Sequence, residues 1–511
     1  MKRPNIVFVL ADDHGAWATG CYGNNEVKTP TLDKIANEGI LFNNFYCTSP
    51  VCSPARASIL TGKIPSQHGV HDWIGGGNID IETHKKMDLK IKHLYPYFDE
   101  EDMKKWVGDR TYEEIGEDET MPFLEFKGYK AYLKRETTPY SYLEDVTAYT
   151  EVLKDNGYTC GLSGKWHLGN SGTPQKGFDY WRVISGGGTY YNYPEYMIDG
   201  KPVRKEAYIS DIITDDAIEF IEDNQDKPFY IGVHYTAPHS PWAELDQKKE
   251  MWDLYEDCKF DSAPIEKPHP NQAIHRPIGK TKELRLQYLR GYYSALSGMD
   301  AGINKIIEKL EELGLDDNTI IVYTSDNGMN LGHHGIWGKG NGTYPMNMFE
   351  TSVKVPTVMK VPGVNGIVSN DLLSHYDIMP TLLDHLNIEM PNKDEMPGKS
   401  FADLLNGKQL EENHNIVIYD EYGPVRMIRS KEYKYVHRYP EGPHEFFDMV
   451  NDPDERINLI DDPKHQDRIN AMRSELNDWF KKYVIPEIDG SNLNVTGEGQ
   501  FDLAKKGNSV F

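Results

Sequence analysis

The clearest chemical signal in the chain is a cysteine and an arginine four residues apart, Cys52 and Arg56, where a loop passes into a helix. Pro54 suits the first helical position and Gly62 suits the C-terminal cap, so the pattern predicts a short helix between them. Cys52 would then lie at a helix N-terminus, where free N–H groups and the helix dipole favour a thiolate, sulfate or phosphate. The alternative is an ordinary buried structural cysteine.

Two pairs of oxygen-bearing side chains follow predicted strands. Asp12 and Asp13 end the apolar run over residues 5–10, and Asp326 and Asn327 end a later run of the same kind. Adjacent carboxylates repel one another, so buried ones need a cation, and hard oxygen ligands suit Ca²⁺ or Mg²⁺. A solvated turn is the more common role of an Asp-Asp pair.

Four cationic or titratable side chains also lie beyond strand ends. Lys165 and His167 follow a strand over residues 158–163, His239 follows the next predicted strand, and Lys339 closes the block that begins at Asp326. A lone lysine or histidine in a loop is usually a surface residue. Their shared position at strand ends is what makes them candidates, since ligands of open α/β sheets bind there.

The run from Cys52 to Gly62 has the pattern Cys-x-Pro-Ala-Arg followed by Leu-Thr-Gly. It resembles the signature of the type I, formylglycine-dependent sulfatases of the alkaline phosphatase superfamily. Ala55 stands where many relatives have serine, a variation that the family accepts. The blocks that begin at Lys165 and Asp326 are similar to the second and third sulfatase motifs, so the resemblance extends over nearly the whole chain.

The resemblance implies a modified cysteine and a metal site. Cys52 would be oxidised after synthesis to Cα-formylglycine by a formylglycine-generating maturation enzyme, and the aldehyde hydrate would be the nucleophile. The metal would be Ca²⁺, with Mg²⁺ the lesser expectation. Asn327 occupies a place that is histidine in some relatives, which leaves this assignment intact. The implied metal ligands are Asp12, Asp13, residue 52, Asp326 and Asn327.

The same resemblance implies the other roles in sulfate ester hydrolysis. Lys165 and Lys339 would bind the sulfate oxygens, and Arg56 would hold the aldehyde hydrate. His239 would protonate the leaving alcohol, and His167 would take the remaining hydroxyl proton so that sulfate leaves. A sulfate monoester needs this combination of charge neutralisation, nucleophile and acid.

Two other functions remain open from the sequence. A phosphonate monoester or phosphodiester hydrolase of the same superfamily shares the metal site and can share the formylglycine. A non-catalytic glycan-binding relative is disfavoured, because a binding protein has no need of the nucleophile. The residues that argue against it are Cys52, Lys165, His167, His239 and Lys339.

Alternating apolar strands and amphipathic helices predict an α/β fold with a large, mixed, mostly parallel sheet flanked by helices. Among the predicted helices are one over residues 141–156 and one over residues 282–313. From about residue 413, four short strands and a closing amphipathic helix predict a smaller antiparallel sheet with a packed helix. We therefore predict a catalytic domain over residues 1–412 and a C-terminal α+β subdomain over residues 413–511.

The composition of the chain argues against several classes of function. A net charge of −25 argues against a protein that binds nucleic acid or an anionic membrane. Five scattered cysteines predict mostly free thiols. The apolar run near Met1 is too short for the core of a signal peptide, and we find no segment long enough to span a bilayer. The expected location is the cytoplasm, or the periplasm or exterior if a signal was removed.

Two long irregular segments, over residues 71–141 and 243–281, border the motifs. Sugars favour such surroundings, because aromatic faces stack on C–H faces and charged forks hold hydroxyls and carboxylates. The family also contains many glycan sulfatases with insertions in these places, so we expect a sulfated carbohydrate rather than an aryl sulfate or choline sulfate. For His334, a packing or substrate-contact role is about as favoured as a catalytic one. The candidate contacts are His71, Trp73, Trp242, His275, Arg276 and His334.

Overall fold

The structure of the protein is a computed structural model. It describes residues 3–80, 88–95, 98, 100–122, 138–198, 200–273, 278–411 and 414–504 of the 511. None of the helices in these ranges combines the length and apolarity that crossing a bilayer requires.

The strands and helices of the described ranges are as follows. The strands are β1 Asn5–Asp12, β2 Ile40–Phe42, β3 Phe45–Tyr46, β4 Asp88–Lys90, β5 Thr120–Pro122, β6 Thr159–Gly164, β7 Tyr180–Ile184, β8 Glu195–Ile198, β9 Lys201–Arg204, β10 Phe229–Pro238, β11 Thr319–Ser325, β12 Asn330–Leu331, β13 Trp337–Gly338, β14 Val358–Lys360, β15 Ile367–Ser369, β16 Leu373–Ser374, β17 Ile416–Asp420, β18 Val425–Arg429, β19 Tyr433–Arg438 and β20 Glu445–Asp448. The α-helices are Pro30–Glu38, Cys52–Thr61, Pro65–His68, Ile91–Leu94, Glu100–Asp102, Tyr149–Asp155, Ile209–Asp223, Lys249–Asp253, Lys282–Glu312, Glu350–Val353, Ile378–His385, Ala402–Leu405 and Gln466–Tyr483.

A ten-stranded sheet in the order β15-β2-β14-β11-β1-β10-β6-β7-β8-β9 forms the centre of the molecule. The strands β11, β1, β10, β6 and β7 run parallel to one another, whereas β14, β8 and β9 introduce antiparallel pairs. This is the predicted mixed, mostly parallel sheet. Because β1 has a parallel neighbour on each side, its backbone is fully paired and it lies in the middle of the molecule.

Alternate residues of β1 point into two separate cores, as the period of a strand requires. Ile6 and Phe8 belong to the core formed with the helices Cys52–Thr61, Tyr149–Asp155 and Ile378–His385. Val7 and Val9 belong to the core formed with the helices Pro30–Glu38, Ile209–Asp223 and Lys282–Glu312. All eight residues of β1 are buried, which explains why its sequence is continuously apolar from Ile6 to Ala11.

A second sheet, β17-β18-β19-β20, is antiparallel throughout. The closing helix Gln466–Tyr483 packs on it through Ile469, Met472, Leu476 and Phe480. The small sheet and its helix therefore agree with the sequence. The predicted boundary between residues 412 and 413 falls outside the described residues and stays a prediction.

The structure differs from the predicted elements at several points. The helix expected over residues 141–156 is limited to Tyr149–Asp155, because residues 141–147 form turns in which Tyr142 and Leu143 are nevertheless buried. The helix expected to begin at Pro54 begins at Cys52 instead. The last three strands at one side of the sheet, β7, β8 and β9, were not predicted, since they are short and a run rich in glycine and tyrosine separates β7 from β8.

Candidate active site

Four neighbouring strands of the large sheet deliver the predicted site residues to one edge. β1 ends at Asp12, β11 is followed by Asp326, β6 by Lys165, and β10 by His239. Because these strands are parallel and adjacent, their carboxyl ends meet at the same edge of the sheet. Residues that are far apart in sequence are thereby collected in one place.

The helix Cys52–Thr61 brings the predicted nucleophile to this edge. The Nζ of Lys339 donates a hydrogen bond to Cys52 Sγ over 2.7 Å and another to Asp13 Oδ1 over 2.5 Å. Burial raises the pKa of the Cys52 thiol above its usual value, although Lys165 and Lys339 are close enough to lower it. The thiolate expected at a helix N-terminus is therefore not favoured, and the unmodified side chain is a poor nucleophile.

Buried carboxylates and cations alternate around Cys52. The Nζ of Lys165 lies 2.6 Å from Asp12 Oδ2. The guanidinium of Arg56 makes two contacts of 2.9 Å with Asp326 Oδ2, through Nε and Nη2, and Nη2 lies 3.8 Å from Asp12 Oδ1. All of these side chains are at least nine-tenths buried. Buried charges at such density need opposite partners, and here each has one.

The cations hold two of the carboxyl groups in the ionised form. Burial alone would raise the pKa of Asp13, but Lys339 and His239 more than offset it, so the pKa lies below its ordinary value. The pKa of Asp326 is also lowered, since Arg56 and Lys165 outweigh the effect of burial. Both groups can therefore serve as anionic ligands.

The donor set fits a hard cation. Ligand atoms of Asp12, Asp13 and Cys52 all lie within 4.8 Å of one another. Asp12 Oδ1 and Asn327 Oδ1 are buried and have no hydrogen-bond partner among the described residues, so both oxygens keep free coordination capacity. The amide of Asn327 is held beside Asp13 by a 2.8 Å hydrogen bond from its Nδ2. Oxygen ligands of this kind suit Ca²⁺.

His167 is held in a defined orientation beside this cluster. Its Nε2 lies 3.0 Å from the carbonyl oxygen of Ile74, and because a carbonyl only accepts, Nε2 carries the proton. Burial, with Lys165 and Arg56, keeps the pKa of His167 well below its usual range, so the ring is neutral. Its Nδ1 is buried and makes no hydrogen bond within the described ranges. The ring therefore presents an unshared electron pair.

His239 is more open than the rest of the site, with 29% of its side chain exposed. Its Nδ1 donates to the carbonyl oxygen of Ser240 over 2.7 Å, and its Nε2 lies 3.7 Å from Asp13 Oδ2. The backbone of this loop is held by Tyr191, whose hydroxyl donates to the carbonyl of His239 over 2.8 Å. Nε2 is thus free to exchange a proton at the open side of the site.

The family of the chain follows from the extent of its sequence match. A family model described as "Sulfatase" matches residues 4–85 and 143–388, well over half of the chain. The chain belongs to the sulfatase family. A second model, "N-sulphoglucosamine sulphohydrolase, C-terminal", matches residues 332–482. This sulfatase is therefore a sulfuric ester hydrolase. The residues between the two parts of the first match, 86–142, fall within the predicted irregular segment over residues 71–141 except for the last one.

Individual relatives agree over nearly the full length. The N-acetylglucosamine-6-O-sulfatase of Bacteroides thetaiotaomicron is 28% identical, with 96% of this chain and 88% of that protein covered. An ulvan-active sulfatase of Formosa agariphila is also 28% identical, with 94% and 83% covered. A solved structure of a protein in complex with its substrate D-glucosamine-2-N,6-O-disulfate is 24% identical, with a TM-score of 0.71 and coverage of 96% of this chain and 100% of that chain. The last match shows that the fold is the same.

Two of the predicted substrate contacts of the sulfatase are buried in packing. The Trp242 side chain is only 3% exposed, its Nε1 donates to Pro238 O over 2.7 Å, and its ring packs against Tyr288 and Tyr292. The ring leaves no open face for a sugar, and it supports the loop of His239 instead. His71 is 1% exposed, and its Nε2 is bonded to the carbonyl of Ile488.

The other predicted contacts lie in different surroundings. The half-buried indole of Trp73 donates its Nε1–H to the carbonyl of Gly497 over 3.0 Å. The ring of His334 stacks on Phe349, with centroids 3.7 Å apart. His275 and Arg276 lie outside the described residues. The roles proposed for these side chains in substrate binding stay predictions.

Two residues of the site were missed by sequence reasoning. Ser53 Oγ donates to the carbonyl of His167 over 2.9 Å and accepts from the backbone N–H of Ile74 over 3.0 Å. Ser53 lies within the signature beside Cys52, so its position was a usable signal. Ile74 contributes only its backbone N–H and carbonyl, and the pattern of side chains in the sequence does not predict where backbone groups lie.

Proposed function

We propose that this sulfatase hydrolyses the sulfate ester of a carbohydrate, with formylglycine at position 52 as the nucleophile and Ca²⁺ as the metal. The observation that carries the proposal is the position of Lys339. Its Nζ contacts Cys52 and Asp13 together, so the nucleophile, a sulfate-binding cation and a metal ligand occupy one cluster. A cluster built only for stability would not need a cysteine there.

Formylglycine at position 52 would supply a hydrated aldehyde, and one of its hydroxyls would give its proton to a neighbouring carboxylate of the cluster as its oxygen bonds to sulfur. Ca²⁺ would supply positive charge to the sulfate oxygens. The metal would be held by the same side chains that have free oxygen atoms or ionised carboxyl groups in the cluster. These are Asp12, Asp13, Asp326 and Asn327, together with residue 52.

The cations of the chain bind and orient the anionic part of the substrate. The ammonium groups of Lys165 and Lys339 both lie in the cluster, and each can donate to a sulfate oxygen. Arg56 is fixed by its two contacts with Asp326, so that its guanidinium stays close to residue 52. Such preorganised charges stabilise the transition state more than the ground state, because they need no reorganisation during the reaction.

The two histidines divide the proton transfers. His239 in its protonated form donates from Nε2 to the leaving alkoxide as the ester S–O bond breaks, since Nδ1 is already occupied by Ser240 O. His167 accepts the proton of the second hydroxyl at residue 52 through Nδ1, since its Nε2–H is bonded to Ile74. Loss of that proton lets the C=O bond form again while sulfate leaves.

The relatives point to an amino sugar as the first substrate to test. One relative is named an N-acetylglucosamine-6-O-sulfatase, and the solved neighbour holds D-glucosamine-2-N,6-O-disulfate as its substrate. The C-terminal match carries the name of an N-sulphoglucosamine sulphohydrolase. We therefore propose 6-O-sulfated glucosamine units as the preferred carbohydrate class.

A panel of substrates tests this assignment. We expect kcat/KM for N-acetylglucosamine 6-sulfate to exceed that for 4-nitrophenyl sulfate by at least about 100-fold, because remote contacts with the sugar contribute to transition-state binding. Lys339→Met should lose turnover of both substrates, which ties any activity to this site. A phosphonate monoester with the highest kcat/KM would instead establish the phosphonate hydrolase, and absence of glycan turnover would remove the carbohydrate assignment.

A further inference from the structure

The C-terminal end of the described residues lies beside the segment whose backbone contacts His167. Residues 497–501, which we call the C-terminal strap, run beside residues 71–77. Gln500 and Ile74 form a parallel β-bridge. The N–H of Gln500 donates to Trp73 O over 2.8 Å, and the N–H of Gly75 donates to Gln500 O over 2.9 Å. The backbone on both sides of Ile74 is therefore held by a residue from the far end of the sequence.

The side chain of Gln500 strengthens this attachment. It is fully buried. Its Oε1 accepts from the N–H of His71 over 2.9 Å, and its Nε2 donates to the carbonyls of Gly69 and Asp502 over 3.0 Å each. A buried amide whose oxygen and nitrogen are both hydrogen-bonded restrains the backbone around it. Removal of its polar atoms leaves buried backbone groups without partners.

Three hydrogen bonds connect Ile74, Ser53 and His167 in a closed ring, so the position of Ile74 restrains that of His167. The carbonyl of Ile74 accepts from His167 Nε2, and the N–H of Ile74 donates to Ser53, which in turn donates to the carbonyl of His167. Both backbone polar groups of Ile74 are thus bonded to His167 or to the neighbour of Cys52. A shift of Ile74 would release the Nε2–H that keeps Nδ1 unprotonated.

We propose that Gln500 is a positioning residue for His167, and that the C-terminal strap is part of the machinery of sulfate release. The inference rests on the proton-accepting role proposed above for His167. Gln500 acts through Ile74, which sets the ring orientation and the tautomer of the histidine. It touches neither substrate nor metal, so its effect is expected on kcat rather than on KM.

Gln500→Met tests the proposal, because methionine has a similar length but makes none of the three hydrogen bonds. We expect kcat to fall about 10- to 100-fold with KM within about twofold of wild type, as for partners that orient catalytic groups. Glu498→Gln, an exposed change in the same strap, is the matched control and should leave both constants unchanged. Trp73→Phe, which removes only the bond to Gly497, should give a smaller loss of kcat.

A double-mutant cycle separates positioning from general structural damage. In a His167→Gln background, Gln500→Met should change kcat by less than about twofold, because its effect requires the histidine. Backbone hydrogen exchange offers a readout without turnover: amides of residues 73–76 and 165–168 should exchange faster in Gln500→Met, while those of β1 stay protected.

The outcomes distinguish this inference from the function on which it depends. A wild-type protein without sulfatase turnover would overturn the proposed function. Active wild type with an unchanged kcat in Gln500→Met would overturn the positioning role alone. An undiminished effect of Gln500→Met in the His167→Gln background, or accelerated exchange throughout the molecule, would also overturn the positioning role.

Discussion

With all of the acidic and basic side chains ionised, the charges around Cys52 balance without any added ion, although burial raises the pKa of Asp12. Within the described part of the chain, the carboxylates of Asp12, Asp13 and Asp326 face the cations of Lys165, Lys339 and Arg56. A divalent cation bound to this set would leave two positive charges in excess. An anionic sulfate ester would neutralise part of that excess, so metal and substrate would favour each other's binding.

The first prediction concerns the nucleophile proposed at position 52. Active protein should carry formylglycine at position 52 and be about 18 Da lighter than the encoded chain. Cys52→Ala should lower kcat by at least about 1,000-fold, because it removes the attacking group. Mass spectrometry of the peptide that contains residue 52 tests whether the modification is present. Full activity from protein with only unmodified Cys52 would contradict the mechanism.

The metal gives the second prediction. Chelation should abolish turnover, and Ca²⁺ should restore it, since the free oxygen atoms of the cluster suit a hard cation. Asp13→Asn should lower the bound calcium, measured by elemental analysis, whereas the exposed change Asp215→Asn should retain it. Undiminished turnover by protein that elemental analysis shows to be metal-free would exclude this site.

The helix Lys282–Glu312 supports the loop of His239 by close approach. A Cβ at Gly291 would lie 2.2 Å from the backbone oxygen of Trp242, so no side chain fits there. Trp242 in turn holds the carbonyl of Pro238, the residue before His239. The glycine therefore sets how near the loop of His239 can come to this helix.

Gly291→Ala should both destabilise the protein and impair catalysis. The clash with backbone atoms should cost about 1–3 kcal/mol of the free energy of unfolding, and displacement of the loop should lower kcat about 10-fold or more. Gly298→Ala on the same helix is the control. Its Cβ would meet Tyr208 at an ordinary 3.4 Å, so it should be neutral or stabilising by up to about 1 kcal/mol. Urea unfolding and steady-state kinetics compare the two variants, and equal behaviour would contradict the argument.

The small C-terminal sheet is tied to the catalytic part of the molecule by buried charges. Lys434 on β19 has a fully buried side chain, and its Nζ lies 2.9 Å from Glu350 and 2.5 Å from Glu455. Glu350 also accepts from the hydroxyl of Tyr46, which lies a few residues before Cys52. The sheet therefore supports both the loop that leads to Cys52 and the helix Glu350–Val353.

Lys434→Met should destabilise the whole molecule by about 3–5 kcal/mol, because it leaves the buried carboxylate of Glu455 without its cation. Among the described residues, it also leaves Glu350 with only its 3.4 Å ion pair to Arg429. Lys431→Met is the matched control, since its ion pair with Asp371 is half exposed and should be worth less than about 1 kcal/mol. Thermal unfolding of both variants measures the difference. A loss confined to the C-terminal sheet, with the catalytic part unfolding as in wild type, would show that the two parts are not coupled through these charges.

The motif residues and most of the strands that carry them were determined by local sequence. Two of the four C-terminal strands were expected over residues 425–429 and 433–438, and β18 and β19 have these bounds. The helix Lys282–Glu312 agrees with its predicted range to within one residue. These elements have continuous apolar or periodic patterns, because each buries one or both faces along its whole length. The signature around Cys52 is equally local, and it indicated the family without any knowledge of the fold.

The surroundings of the site were decided only by the tertiary structure. Trp242 and His71 were predicted from the sequence to be substrate contacts, yet both are buried by segments distant in the chain. The orientation of His167 depends on the backbone of Ile74, and that backbone is held by Gln500. The types of the side chains predict neither the burial of Trp242 and His71 nor the backbone contact that orients His167. Burial and backbone hydrogen bonding are set by which segments meet in three dimensions, so the residues alone do not carry that information.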